Sequence, residues 1–277
     1  MKKFPWLHII LFLLTFLSTL IVGALHEGVD LLAQPSGIVK GMTFSLTLLV
    51  ILLSHEFSHY YFSRMHHVDA TLPYFIPAPT LFGTLGAFIK MRSPITTRNA
   101  LMDIGASGPI AGFIISVIAT CIGLSLSSIT PLVKGSGMIT LGDSLLFTGL
   151  SKLILGTLPE NQDVLLHPMA FAGWIGFFVT SLNLLPIGQL DGGHISYALL
   201  GDRHHLLSKV FVPVLAILGI VLFEGWLIWA VLLLILGIKH PPVIASDIPL
   251  DSRRKALGIA ALIIFILTFI PVPITVI

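Results

Sequence analysis

The sequence predicts an all-α polytopic membrane protein with six or seven transmembrane helices and a short membrane-associated β-hairpin. Hydrophobic residues make up 55% of the chain and charged residues only 10%, where soluble domains carry about 25% charge. The mean hydropathy is +0.99. Apolar runs of the roughly 20 residues that a helix needs to cross a bilayer recur along the chain, bounded by charge, Pro or Gly. A net charge of +2 is too small and too dispersed for a nucleic-acid partner. Cys121, the one cysteine, excludes an intramolecular disulfide and any Cys-x-x-Cys zinc or redox site.

The first run covers about Pro5 to Leu25. With Lys2 and Lys3 before it, this run also has features of a signal peptide, but its core is longer than the ~7–15 residues of an h-region and "IVGALHEG" is a poor cleavage site. The second run covers about Gly41 to Phe62, the third Ala100 to Leu126, the fourth Pro168 to Leu185 and the last Ala256 to Ile270. From Ser208 to Gly237 a single long run is interrupted by "FEGW", Phe223 to Trp226, which reads as two short helices joined by a tight turn. Basic residues give the reason for preferring that break. With seven spans, Lys2 and Lys3, then Arg64, Lys90, Arg92 and Arg98, then Arg203 and Lys209, then Lys239, Arg253, Arg254 and Lys255 all fall on one side, which charge bias makes cytoplasmic. An unbroken helix would leave the last group on the other side, with the outward segments Glu27 to Lys40 and Ser127 to His167.

Without a long linker, charge block or repeat, the chain reads as one membrane domain over 1–277. A core at 41–195 carries the chemistry, a re-entrant β-hairpin occupies 71–94, and C-terminal helices fill 206–277. The polar stretch Ser127 to His167 contains the apolar "SLLFTGLSKLILG", expected to pack on the membrane surface. A bacterial cytoplasmic membrane is the expected location, because no organellar transit segment precedes the first run.

Residues His55-Glu56-Phe57-Ser58-His59 form H-E-x-x-H inside the second run. Helical positions four apart lie about 40° apart around the axis and roughly 6 Å along it, so both imidazoles can reach one ion. Zinc suits such nitrogens, and a hydrolytic site keeps one position open for water. Glu56 can then take the water's proton and return it to the leaving amine. The bland alternative is two ordinary polar residues near a helix end. From the chain's own His and Glu content the pattern is expected by chance only about 0.006 times, and ionisable groups inside a membrane segment are functional by default.

Zinc still wants a third protein ligand. Asp191, in "NLLPIGQLDGGHI", is the strongest candidate, since Pro186, Gly188, Gly192 and Gly193 let the backbone bend toward an ion. Asp103 and Glu224 are rivals better explained without metal: Asp103 by the positive end of a helix dipole, Glu224 by its place in the proposed turn.

H-E-x-x-H in one span followed by N-x-x-P-x-x-x-L-D-G in a later one, here Asn183, Pro186, Leu190, Asp191 and Gly192, resembles the site-2 protease family of zinc intramembrane metalloproteases. "GASGPIAGF" is similar to the family's Gly-Pro third helix, so the resemblance covers about Gly41 to Ile195. It implies one zinc ion held by His55, His59 and Asp191, with Glu56 as the catalytic glutamate and Asn183 binding the substrate backbone or the oxyanion. It also implies a compact form without a PDZ domain. The implied function is hydrolysis of peptide bonds in or near transmembrane segments of membrane proteins; by charge bias, Glu56 is expected toward the cytoplasmic end of its helix. The alternatives are a zinc transporter, which has little use for Glu56 between two ligands, and a helix-binding pseudoprotease, which is expected to lack a ligand or the base.

"TLPYFIPAPTLFGTLGAFIKMRSP", Thr71 to Pro94, is too apolar for an exposed loop and too rich in Pro and Gly for a helix. It reads as a hairpin beside the metal site and looks like the family's membrane-re-entrant β-loop. An edge within Gly83 to Met91 offers backbone partners to an unwound substrate, and a plug that merely seals the site is the other reading. Gly105, Gly108 and Gly112 have the spacing for close packing against the metal-bearing helix. His194 is a candidate to support Asp191. His66 and His67 are expected at the interface, and His204, His205 and His240 at the surface. Lys239 to Lys255 reads as an extended connection.

Overall fold

Backbone polar groups in hydrocarbon must be satisfied within their own segment, so apolar runs of this length are driven to helix. The computed structural model describes residues 4–131, 139–159, 161–245 and 247–276. Lys2, Lys3 and parts of the Ser127 to His167 stretch lie outside the described residues.

Helix α1 (Trp6–His26) follows Pro5, and a 3-10 turn at Pro35–Gly41 leads into α2 (Met42–Met65). Strands β1 (Tyr74–Pro77) and β2 (Thr84–Phe88) come next, then α3 (Arg98–Ser125), whose Thr97 cap accepts from the Ala100 N–H at 3.1 Å. Beyond α3 lie β3 (Ser128–Pro131), β4 (Ile139–Leu141), α4 (Leu145–Leu155) and β5 (Gln162–Leu165). Pro168 opens α5 (Pro168–Asn183), where its missing N–H costs nothing, and α6 (Asp191–Leu200) follows a tight turn. Helices α7 (His204–Val221) and α8 (Gly225–Leu236) are separated at Leu222 to Glu224, the break that "FEGW" predicts. Helix α9 (Ser252–Thr268) is capped by Asp251, and β6 (Ile274–Val276) ends the described chain.

Four helical stretches among the described residues are long and apolar enough to cross a membrane: Trp6–His26, Pro35–Met65, Arg98–Ser125 and Asp191–Val221. Helices α5, α8 and α9 are shorter, at 16, 12 and 17 residues. The protein is therefore mostly helical and built for a bilayer. The expected hairpin is present as β1-β2, and among the described residues two further two-stranded sheets, β3-β5 and β4-β6, accompany it. The extra two form because segments remote in sequence meet at one end of the bundle, where exposed backbone groups find each other across the connections.

Helix α3 is the centre of the bundle, packing against α2, α5, α6 and α9. Residues Phe44, Leu48, Trp174 and Phe177 form the heart of one apolar cluster between α2 and α5. Long-range bonds fix which helix ends lie together. Arg254 at the start of α9 bonds Asp103 near the start of α3, so these two helices begin at the same end. Strand β6, after α9, pairs with β4, after α3, so they also finish together.

The β1-β2 hairpin is antiparallel, with Tyr74 opposite Phe88 and Phe75 opposite Ala87. It runs along α1, whose side chains hold its carbonyls: His8 Nδ1 donates to Pro73 O at 3.1 Å, Ser18 Oγ to Gly83 O at 2.6 Å and His26 Nε2 to Leu81 O at 2.9 Å. His8 and His26 are about 27 Å apart along a helix axis, so the hairpin extends over the length of α1. Gly83 turns with φ +76°, and a Cβ there would stand 2.8 Å from Ser18 O.

Candidate metal centre

Helix α2 carries His55, Glu56 and His59 on a face turned inward, only 4%, 5% and 6% exposed. Polar groups so buried need partners. Two come from α3 and α6. The Ile104 carbonyl of α3 accepts the His59 Nδ1–H at 2.7 Å, which turns Nε2 toward the interior as the nitrogen available to a metal. Asp191 opens α6 and reaches across from the other side of α3, putting Oδ2 at 3.1 Å from His55 Nε2 and 3.2 Å from His59 Nε2. The two Nε2 atoms are 3.1 Å apart.

These three atoms form a nearly equilateral triangle of electron-rich groups. His59 Nε2, its ring proton committed elsewhere, faces a carboxylate oxygen, an arrangement that a cation relieves. Zinc–nitrogen bonds of about 2.0–2.1 Å at a tetrahedral angle require ligand atoms about 3.3 Å apart, close to the edges observed. Two imidazoles and a carboxylate are also the donor set zinc prefers in hydrolytic sites. His55, His59 and Asp191 thus lie together as a site able to hold zinc.

Packing on α3 shapes this cradle. A Cβ at Gly108 would stand 2.1 Å from His59 Nε2, so that position admits the imidazole only as glycine, and one at Gly112 would stand a tight 3.1 Å from His55 Nδ1. Gly105 is different. Its missing Cβ would meet His194 Cβ at 2.8 Å, so it seats α6 rather than the helix of the two histidines, correcting the expectation that all three glycines serve one contact. Gly192 and Gly193 lie against the Leu184 and Gly188 carbonyls too closely for a side chain, which coils the segment after α5 tightly enough to aim Asp191 inward.

Glu56 Oε1 is 4.0 Å from His55 Nε2. The backbone N–H of Ile89, one residue past β2, faces its carboxylate, so the hairpin does reach this centre. Asn183, the last residue of α5, puts Nδ2 at 3.4 Å from His55 Nε2. All five expected site residues are therefore brought to one place.

His194 is not. Its Nδ1 is 2.6 Å from His240 Nε2, and His240 stacks on Tyr197 with ring centroids 4.5 Å apart. His240 Nδ1 donates to the Pro241 carbonyl at 2.6 Å, so His194 is the donor between the two rings. Burial pushes His240 down to about 3, with His194 and His204 nearby adding to the effect. His204 is 1% exposed and paired with Ser208. His204 is therefore buried and His240 half-buried instead of both lying at the surface, because the Lys239 to Lys255 connection folds back on α3 and α6: Ala245 N donates to Thr96 O at 2.9 Å, and Val243 and Leu250 are buried.

Sequence reasoning missed two contributors. The Ile104 carbonyl is backbone and has no side-chain signature. Asp103, set aside as a ligand, is engaged by Arg254 through Nε at 2.8 Å and Nη2 at 2.5 Å, and by His66 Nε2 at 2.8 Å. A carboxylate early in an apolar run signalled that a partner was needed but not which one.

Residues 43–224 match the family model described as "Peptidase family M50", the site-2 protease family. The chain is 34% identical over 233 residues to an Arabidopsis thaliana protein described as "Probable zinc metalloprotease EGY1, chloroplastic", covering 81% of this chain and 42% of that one. It is 28% identical over 241 residues to an Oryza sativa subsp. indica protein described as "Probable zinc metalloprotease EGY2, chloroplastic", covering 84% of this chain and 43% of that one. The chain thus spans less than half the length of these relatives.

Proposed function

The chain belongs to peptidase family M50, and from that premise we propose that it is a zinc endopeptidase hydrolysing peptide bonds in or near transmembrane segments of membrane proteins. The observation that carries this is the triangle of His55 Nε2, His59 Nε2 and Asp191 Oδ2 with Glu56 beside it. In this reading His55, His59 and Asp191 hold one zinc ion, and Glu56 and Asn183 act on the substrate.

Bound zinc supplies Lewis acidity, which acidifies water and polarises a carbonyl. The chain's residues do the rest. Glu56 takes a proton from the attacking water at its carboxylate and delivers it to the amine that leaves. Asn183 Nδ2 donates toward the peptide carbonyl oxygen as charge builds there. Transmembrane helices hide their carbonyls in internal hydrogen bonds, so the scissile segment must unwind. The free edge of β2 offers it replacement partners, and its proximity to Glu56 through Ile89 supports that role.

The unit proposed is one membrane domain over 1–277, with the catalytic core at 41–195, the re-entrant hairpin at 71–94 and C-terminal helices at 206–277. Seven crossings are proposed, by α1, α2, α3, α5, α7, α8 and α9. The common starting end of α3 and α9 supports this count, since α7 and α8 as an out-and-back pair return the chain to that end. Basic residues concentrate at that end and support a cytoplasmic orientation for it.

The deciding experiment reconstitutes the protein with a model transmembrane substrate and compares it with Glu56→Gln. Zinc content stays the same and cleavage is lost; cleavage by Glu56→Gln at the original rate would sink the proposal.

A further inference from the structure

The Asp103 carboxylate lies outside the triangle but is 8% exposed, and three donors from two other helices converge on it. Arg254 of α9 binds it in the bidentate manner, Nε on Oδ1 at 2.8 Å and Nη2 on Oδ2 at 2.5 Å. His66, which closes the C-terminal end of α2, adds Nε2 on Oδ2 at 2.8 Å. Arg254 is itself held by Asp251, through both the cap on its own N–H and a side-chain ion pair. A planar guanidinium gripped at both ends is a rigid part, unlike a flexible ammonium.

What this rigid part controls is set by its neighbour in sequence. Ile104, one residue on, supplies the carbonyl that takes the His59 Nδ1–H. Two consecutive residues of α3 therefore grip α2 at two points, His66 at its end and His59 about two turns earlier. Together with the tight glycine packing, the two contacts set both the register and the rotation of α2 against α3. Little movement is tolerable, since the Gly108 contact leaves no slack around His59. We propose that Asp103 is a positioning residue of the metal centre: by holding His66 and Arg254 at once, it fixes α3 against the last turns of α2 and so sets the orientation of the His59 imidazole. Partners that orient metal ligands in this way are worth about 10–100-fold in metal affinity or activity when removed.

The inference rests on the zinc-site reading, and cobalt(II), whose visible bands report ligand geometry, tests the two separately. Full-length protein in detergent is loaded with cobalt in the wild-type, Asp103→Asn, His66→Ala and His66→Gln forms. Asp103→Asn is expected to release cobalt about tenfold faster, to alter the visible band, and to lower kcat on a transmembrane substrate with KM unchanged. His66→Ala shares the altered band, and His66→Gln, which keeps a donor, restores it. Wild-type release rate and band in both Asp103→Asn and His66→Ala would overturn the proposal. If Asp103→Asn does not fold, His66→Ala against His66→Gln decides alone. A wild-type protein that binds no cobalt would overturn the zinc-site reading itself.

Discussion

Glu56 sits between two ligand-type histidines at a distance from His55 that leaves room for a water, and its replacement separates chemistry from assembly. Glu56→Gln keeps size and burial while removing the proton acceptor, so a loss of about 10²–10⁴ in kcat is expected with zinc content unchanged, as measured by metal analysis beside a cleavage assay. Asp191→Ala acts on the other side of the division. It removes one corner of the triangle and leaves His59 Nε2 facing only another imidazole, so bound zinc should fall along with activity; full zinc occupancy would take Asp191 out of the ligand set. The sequence made both experiments conceivable, since H-E-x-x-H is a local pattern whose geometry follows from helix pitch. It could not supply Asp191 by the same logic, because that contact joins positions 136 residues apart.

Elements bring further constraints. Helix α3 can lie this close to α2 only while Gly108 lacks a side chain, and Gly112 is tight against His55 as well. Gly108→Ala should therefore displace His59, at a cost of about 1–3 kcal/mol in stability and a clear loss of metal affinity, read by thermal unfolding and zinc titration. The hairpin is held along α1 by His8, Ser18 and His26, so its position is set by a helix that precedes it by many residues. Ile89→Pro deletes the N–H that faces Glu56 at the end of β2. It should impair cleavage far more than folding, and equal damage to both would favour the plug reading of this segment. That a hairpin stood here was legible from Pro and Gly among apolar residues. Its companions β3-β5 and β4-β6 were not, because short strands of ordinary composition acquire their identity only from the partner they meet.

At the scale of the whole molecule, the end-to-end arrangement carries the orientation. A cysteine placed at Leu32, which is 97% exposed, should be labelled from one side of the membrane and one at Lys239 from the other, in a Cys121→Ala background. Labelling of both from one side would break the seven-crossing topology. Stability should depend on pH through His240. Its folded value of about 3 lies below the ordinary 6.5, so between these limits the unfolded chain holds a proton that the folded chain refuses. Stability must then fall as pH drops from 7 toward 5, and the Tm of His240→Gln in detergent should show a shallower slope over that window.

Hydropathy, helix-breaking residues and a five-residue motif are properties of contiguous chain, and from them the sequence by itself determined the membrane class, the helical runs, the break at "FEGW" and the chemistry on offer at His55, Glu56 and His59. The tertiary structure alone decided that Asp103 answers Arg254 across 151 residues, that His194 turns to His240 and that a backbone carbonyl holds His59. Those choices depend on which surfaces meet after folding. Such meetings are governed by close packing and by the cost of leaving a buried polar group without a partner, and neither is written in any local stretch of sequence.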